Sequence, residues 1–288
     1  MSRSKTSGSD SGGGSVPKPK RPRVAVVLSD LHCGSTQAVM PSDFQTLEGQ
    51  NIVPSASQLV LLKWWEEFWK FANGITAHEP WVCVLNGDLI EGNHHRTTQI
   101  VSPEVGDHCE MAKQLLQPRT NGAAGVFVTL GTECHTARME HHIAEFLRAT
   151  PDPNTGRPAW ERLSLRIGGT LCRFTHHTST STRPWLRGNK LGAHLRSAQL
   201  EAIDANREPP RVTCAGHCHT FDMMETTNGM SLTTPSWQLQ TRYTHKVAPN
   251  AVCHIGGVVL DWRDRPDGSM PLVHSFTRAY NNDLSVEV

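Results

Sequence analysis

The chain has 288 residues, of which 37% are hydrophobic before its 23 glycines are counted, enough for a sizeable core. No run approaches the ~18 consecutive apolar residues of a membrane span, and no apolar segment follows Arg3 and Lys5, so neither a span nor a secretory signal is expected. The net charge of +1 conceals an asymmetry: residues 1–23 hold six Lys/Arg and one Asp, a net of +5 that leaves −4 for the remainder.

Residues 1–22 are Ser/Gly-rich and then Pro/Lys-rich. With nothing apolar to bury, they are expected to form a disordered arm, a solubilising tail first, with a contact for nucleic acid or an address as the alternatives. Residues 23–288 are expected to form one domain. "RVAVVLSD" reads as a buried parallel strand. Gln58 to Phe71 reads as a helix too apolar to be solvated all round, its Trp64, Trp65 and Trp69 assigned to the core. "WVCVLNGD" is a second strand, Pro103 to Gln117 a helix, "GVFVTLG" a third strand and Met139 to Ala149 a short helix. "WERLSLRI" and "LCRFTHH" form a hairpin about Gly168 and Gly169, and a helix over Leu191 to Asn206 leads to "RVTCAGHCH". Short β runs follow: "FDMMETT", "MSLTT", "AVCHIGGVVLDW" and "PLVHSFTRAY". This is an α/β chain whose C-terminal part leans antiparallel. The eight cysteines are scattered without CxxC pairs, which suggests reduced thiols in a cytoplasm.

Sixteen histidines stand against two tyrosines. Six of the sixteen stand at the ends of strands. "VVLSDLHCGS" ends on Asp30 and His32, "VLNGDLIEG" on Asp88, and "VTLGTECH" on Glu133 and His135. "CRFTHHTS" ends on His176 and His177, and "VTCAGHCHT" on His217 and His219. Singly, an Asp after a strand is an ordinary turn former. Together, these ends place a carboxylate, an imidazole or both where open α/β sheets carry their sites. On extended backbone residues i and i+2 point the same way, so Asp30/His32 and His217/His219 would each converge. Mixed oxygen and nitrogen donors suit Mn²⁺, Zn²⁺, Fe or Ni²⁺, and their number implies two ions. A pair of ions roughly 3.5–4 Å apart serves in-line attack at phosphorus.

The order Asp30-Leu31-His32, Gly87-Asp88, Gly131-Thr132-Glu133-Cys134-His135, His176, Gly216-His217-Cys218-His219 resembles that of the calcineurin-like metallophosphoesterases, over about residues 23–260. "SDLHCGS" and "GDLIEG" look most like phage and prophage members. The resemblance implies a four-layer α/β/β/α sandwich carrying two divalent metals, with Mn²⁺ the first expectation. It implies that Asp30, His32 and His219 hold one metal, that Asp88 bridges, and that His176 and His217 hold the second. His135 would protonate the leaving oxygen as a metal-bound hydroxide attacks. His176 is preferred over His177 because it follows the strand directly.

Where the family carries an Asn ligand immediately before that His, this chain has none. Thr132 and Glu133 are the nearest candidates, and Glu133, two residues before His135, is taken as the replacement ligand. The expected partner is a phosphoester substrate, a nucleotide or single-stranded nucleic acid among the candidates. The acidic body argues against an extended duplex track. The alternative function is a metal-containing nucleic-acid-binding or structural protein without turnover. Arg138, Arg183 and Arg187 are candidate phosphate clamps, and His94 and His95 could line the substrate side.

Overall fold

The computed structural model describes residues 20–280 apart from 78, 95–96, 137, 179–180, 182 and 249–251. The first half of the chain alternates β1 (Val24–Leu28), a short hairpin of β2 (Phe44–Gln45) and β3 (Asn51–Ile52), α1 (Ala56–Thr76), β4 (Trp81–Asn86), α2 (Val105–Thr120), β5 (Gly125–Thr129), a single turn α3 (Glu133–Thr136) and α4 (Glu140–Phe146). The second half runs β6 (Leu163–Ile167), β7 (Thr170–Thr175), α5 (Arg187–Asp204), β8 (Val212–Ala215), β9 (Asp222–Thr226), β10 (Gly229–Thr233), α6 (Arg242–Val247), β11 (His254–Asp261) and β12 (Leu272–Ala279).

Among the described residues two five-stranded sheets form, ordered β12-β11-β1-β4-β5 and β6-β7-β8-β10-β9. β1, β4 and β5 are mutually parallel, as are β7, β8 and β10, while β11, β12, β6 and β9 join antiparallel. Alternation along the strands decides the layers. Val24, Val26 and Leu28 of β1 face a cluster built with α1, α2 and α4, whereas Ala25 and Val27 face Phe174, Cys214 and Leu232 of the second sheet. α5 covers the far face of that sheet, burying Leu191, Leu195 and Ala198. The result is the expected α/β/β/α order.

α1 starts at Ser55, whose side chain accepts from the Gln58 N–H while Gln58 returns the bond to the Ser55 N–H. Its buried residues Leu61, Trp65, Phe68, Trp69 and Ala72 recur at helical spacing. Trp65 and Phe68 meet Trp237 edge-to-face, so these rings are core. Gly168 and Gly169, at φ 55° and 79°, turn β6 into β7 as expected. The β2–β3 hairpin, α3 and α6 have no counterpart in the sequence reading. All are short, and α3 falls where extended backbone was expected. The arm lies outside the described residues except for 20–22, where Lys20 reaches Glu79 at 3.3 Å.

Candidate functional site

The topology brings the C-terminal ends of β1, β4, β5, β7 and β8 to one rim, and these are the five ends singled out above. The backbone there is not extended. Asp30 (φ 53°), His32 (48°), Asp88 (50°), His217 (70°) and His219 (53°) are all left-handed, five of the eight described non-glycine residues with positive φ. Each is disfavoured by about 1–2 kcal/mol, and such strain persists where surrounding structure over-determines it. The convergence of i and i+2 therefore comes from paired left-handed residues rather than from pleat alternation.

Hydrogen bonds fix the loops. Asp30 N–H donates to Gly87 O and His32 N–H to Asp88 O, both at 3.0 Å, stitching the β1 loop to the β4 loop. The Asp30 carboxylate accepts from His217 N–H at 3.0 Å and from the Ser29 hydroxyl. Asp88 accepts from Thr132 N–H at 2.5 Å and from the Thr132 hydroxyl at 3.1 Å. Gly131 passes so close that a Cβ there would collide with the Asp88 backbone nitrogen.

The side chains gather in groups whose ligand atoms lie within 4.8 Å of one another: Asp30, His32 and His219; His32, Asp88 and His135; Asp88, His176 and His217. His32 Nε2 faces His219 Nε2 at 3.2 Å, and His219 Nε2 lies 3.4 Å from Asp30 Oδ1. Asp88 Oδ2 is 3.0 Å from His176 Nε2 and 3.9 Å from His32 Nε2, so this one carboxylate reaches both sides. His176 is buried and turns inward, its Nδ1 2.8 Å from Asn86 O, whereas His177 is exposed and stacks on the His217 ring at 26°.

Charge follows from burial. Desolvation alone would raise the Asp30 and Asp88 carboxyls. The facing imidazoles, His176 first for each, outweigh it and hold Asp30 down to about 2 and Asp88 well below the carboxylate range. Conversely, burial would lower His176 and His219, yet Asp88 and Asp30 hold them up at about 9 and about 10. Among the described residues no Lys or Arg pairs with Asp30, Asp88 or Glu91. Buried anions opposed only by imidazoles, with nitrogen and oxygen atoms converging, form a donor set suited to divalent transition-metal ions.

Glu133 departs from expectation. It opens the α3 turn, where i and i+2 diverge by about 200° around a helix. Its carboxylate is exposed, lies outside all of these groups and lines a separate small recess with Arg138 and Glu161. Thr132 stands in its place, its hydroxyl 3.1 Å from Asp88 Oδ2 and 3.4 Å from His217 Nδ1. His135 is brought into the centre. Its Nδ1 meets Glu91 O at 3.1 Å, and burial, followed by the neighbouring His32, lowers it to about 4.

Glu91 was missed by the sequence reading. Its carboxylate is buried, 2.8 Å from His32 Nδ1 and 3.1 Å from His94 Nε2, and it accepts from Gln238 Nε2 at 2.8 Å. Burial would raise it, but His32 and His94 hold it far below the usual range. The signal was present as the Glu three residues after Asp88 in "GDLIEG". Also missed were Arg242 and Tyr243 of α6, which join Thr97, Gln99 and Cys134 in lining a cleft of about 570 Å³ over the centre. Arg138 lies outside this cleft. Arg187 pairs with Asp222 at 3.6 Å, Arg183 is exposed, and His95 lies outside the described residues.

No family model and no curated protein match the sequence. Solved structures do. A single-site mutant of Vps29 from Entamoeba histolytica aligns over 90% of this chain and 99% of its own, at 14% identity and a TM-score of 0.42. A novel archaeal phosphodiesterase aligns over 88% and 99%, at 11% identity and 0.44. A predicted phosphoesterase from Streptococcus pneumoniae aligns over 89% and 98%, at 14% identity and 0.35.

Proposed function

We propose that this chain is a cytoplasmic phosphoesterase that holds two divalent transition-metal ions at the rim and hydrolyses a phosphomonoester or phosphodiester. One observation carries the reading: six side chains from four strand ends (Asp30, His32, Asp88, His176, His217, His219) converge, and Asp88 belongs to groups on both sides. Asp30, His32 and His219 would hold one ion and His176 and His217 the other, with Asp88 between them. Mn²⁺ suits the donors, with Zn²⁺, Fe and Ni²⁺ as alternatives. Bound there, the pair would supply Lewis-acid neutralisation of phosphate charge and a water activated at neutral pH.

The chain's own groups do the rest. His135 would give a proton to the leaving oxygen, and an anionic phosphate in the cleft would raise its pKa from about 4 toward the working range. Glu91 fixes the ring of His32 through Nδ1, as Asn86 O fixes His176. Thr132 holds Asp88 at the position where the resembled family carries an amide. Arg242 and Tyr243, a cation beside an aromatic face, favour a nucleotide or a single-stranded nucleic acid as substrate.

One feature favours a second reading, a metal-holding protein without turnover. With Glu133 outside the groups, the second side offers a hydroxyl in place of an amide or carboxylate. Hydrolysis of an aryl phosphodiester with and without Mn²⁺, alongside elemental analysis, separates the two. The enzyme reading expects Mn²⁺-dependent turnover and close to two ions per chain, and two tightly held ions without turnover would select the second. Rates on a mononucleotide ester, a cyclic dinucleotide and single-stranded DNA then rank the substrates.

A further inference from the structure

Beside the proposed centre lies a donor cluster of different chemistry. His94, Cys134 and His135 each offer one ligand atom, and the three atoms lie within 4.8 Å of one another. A tetrahedral ion with ligands ~2.0–2.3 Å away needs donors roughly 3.3–3.7 Å apart, a closure within reach of the exposed Cys134 side chain. The cluster comes from two segments: Cys134 and His135 are consecutive in α3, and His94 belongs to the loop after β4. The two rings meet edge-to-face, centroids 4.1 Å apart at 73°. Glu91 orients both, its carboxylate 3.1 Å from His94 Nε2 and its carbonyl oxygen 3.1 Å from His135 Nδ1. An oxygen behind the imidazole is how proteins fix a ligand ring. All three residues line the same cleft.

Donor type separates this cluster from its neighbours. The Asp30 and Asp88 groups mix oxygen with nitrogen, whereas this one has two nitrogens, one sulfur and no oxygen. A thiolate with two imidazoles selects Zn²⁺, Cd²⁺ or Co²⁺ over Mn²⁺ and Mg²⁺. We infer that His94, Cys134 and His135 form a separate site for a thiophilic divalent cation at the mouth of the cleft, and that filling it is inhibitory. Binding exchanges the Cys134 S–H bond for a metal–sulfur bond, the proton passes to solvent, and no oxidation state changes. Inhibition follows because His135 cannot be a ligand and a proton donor at once. That consequence rests on the phosphoesterase reading, whereas the binding does not.

The test uses full-length protein loaded with Mn²⁺ and titrated with Co²⁺. A thiolate-to-Co²⁺ charge-transfer band should grow in, be absent from Cys134→Ser and require about tenfold more Co²⁺ in His94→Ala. In parallel, the Zn²⁺ concentration that halves Mn²⁺-supported hydrolysis should rise about tenfold or more in Cys134→Ser, each variant being compared with its own Mn²⁺ rate. A wild-type protein without the band overturns the site. So does a band that persists in Cys134→Ser, which would place the thiolate at Cys218 or Cys253. If no sample hydrolyses the ester, the phosphoesterase reading fails, while the band still decides the site.

Discussion

At the rim, Asp30, Asp88 and Glu91 are each at most 3% exposed, and imidazoles are their only ion-pair partners among the described residues. At the opposite end of the sandwich, charge is arranged the other way. Arg23 pairs with Asp267, Arg166 with Glu208 at 2.5 Å and Arg263 with Asp261 at 2.7 Å, around a cavity of about 740 Å³. The backbone differs in the same sense. Far-end left-handed positions include the glycines Gly168, Gly169 and Gly268 together with Asn206, while at the rim the residues with φ near +50° cluster as Asp30, His32, Asp88 and His219. Of these two cavities the larger is thus the charge-paired one. A site is marked by retained strain and by buried anions lacking a fixed cation, not by volume.

The largest effect is expected at His135. If the rim is catalytic, His135→Ala should keep its metal content yet lose roughly 10²–10⁴ in rate on an alkyl ester, and less on a nitrophenyl ester whose leaving group needs little protonation. Full retention on the alkyl ester would remove His135 from the chemistry.

Glu140 sharpens the contrast, because it is a buried carboxyl at the rim that forms no ion pair among the described residues. Burial raises it to about 7, with a weak bond from Gly131 N–H at 3.3 Å. A folded-state pKa above the ordinary glutamate value of 4.5 means the folded chain holds the proton more tightly. Its contribution is complete below about pH 4.5 and is lost as pH rises through 7, at most roughly 3 kcal/mol. The melting temperature of the wild type should therefore fall more between about pH 5 and pH 8 than that of Glu140→Gln. Parallel profiles for the two proteins would show that Glu140 titrates normally.

Glu91→Gln tests whether the missed carboxylate orients its neighbours. Metal affinity should drop about 10- to 100-fold, read by competition with a chelating dye, with little change in fold by circular dichroism. The smallest effects are expected away from the groups. Glu133→Ala should leave metal content unaltered, and Arg166→Ala should cost about 0–1 kcal/mol with turnover intact. Loss of one ion in Glu133→Ala would restore that residue to the ligand set and require α3 to unwind.

The strands and the five donor-bearing ends were legible because apolar runs such as Val24–Leu28 and Trp81–Asn86 are buried on both faces and are followed closely by Asp or His residues. Glu133 misled because an extended segment was assumed, whereas the His135 and Thr136 N–H groups donate to Thr132 O and make it a helical turn. Glu91 escaped because a lone Glu in a loop resembles any solvated charge until His32 and Gln238 close over it. Arg242 lies 107 residues beyond His135 in the sequence and joins the cleft only through a six-residue helix that no periodicity announces.

By itself, the sequence determined what is encoded locally: which segments are strands, which face of α1 is apolar, and which strand ends carry donors. Periodicity and residue chemistry suffice for those, since each depends on neighbours a few positions away. The tertiary structure alone decided which donors meet. That His176 rather than His177 turns inward, that Thr132 and not Glu133 holds Asp88, and that Glu91 braces His32 all depend on left-handed residues and interloop hydrogen bonds. Those bonds join distant positions, His217 and Asp30 being 187 residues apart, and they need both sheets packed over their shared core.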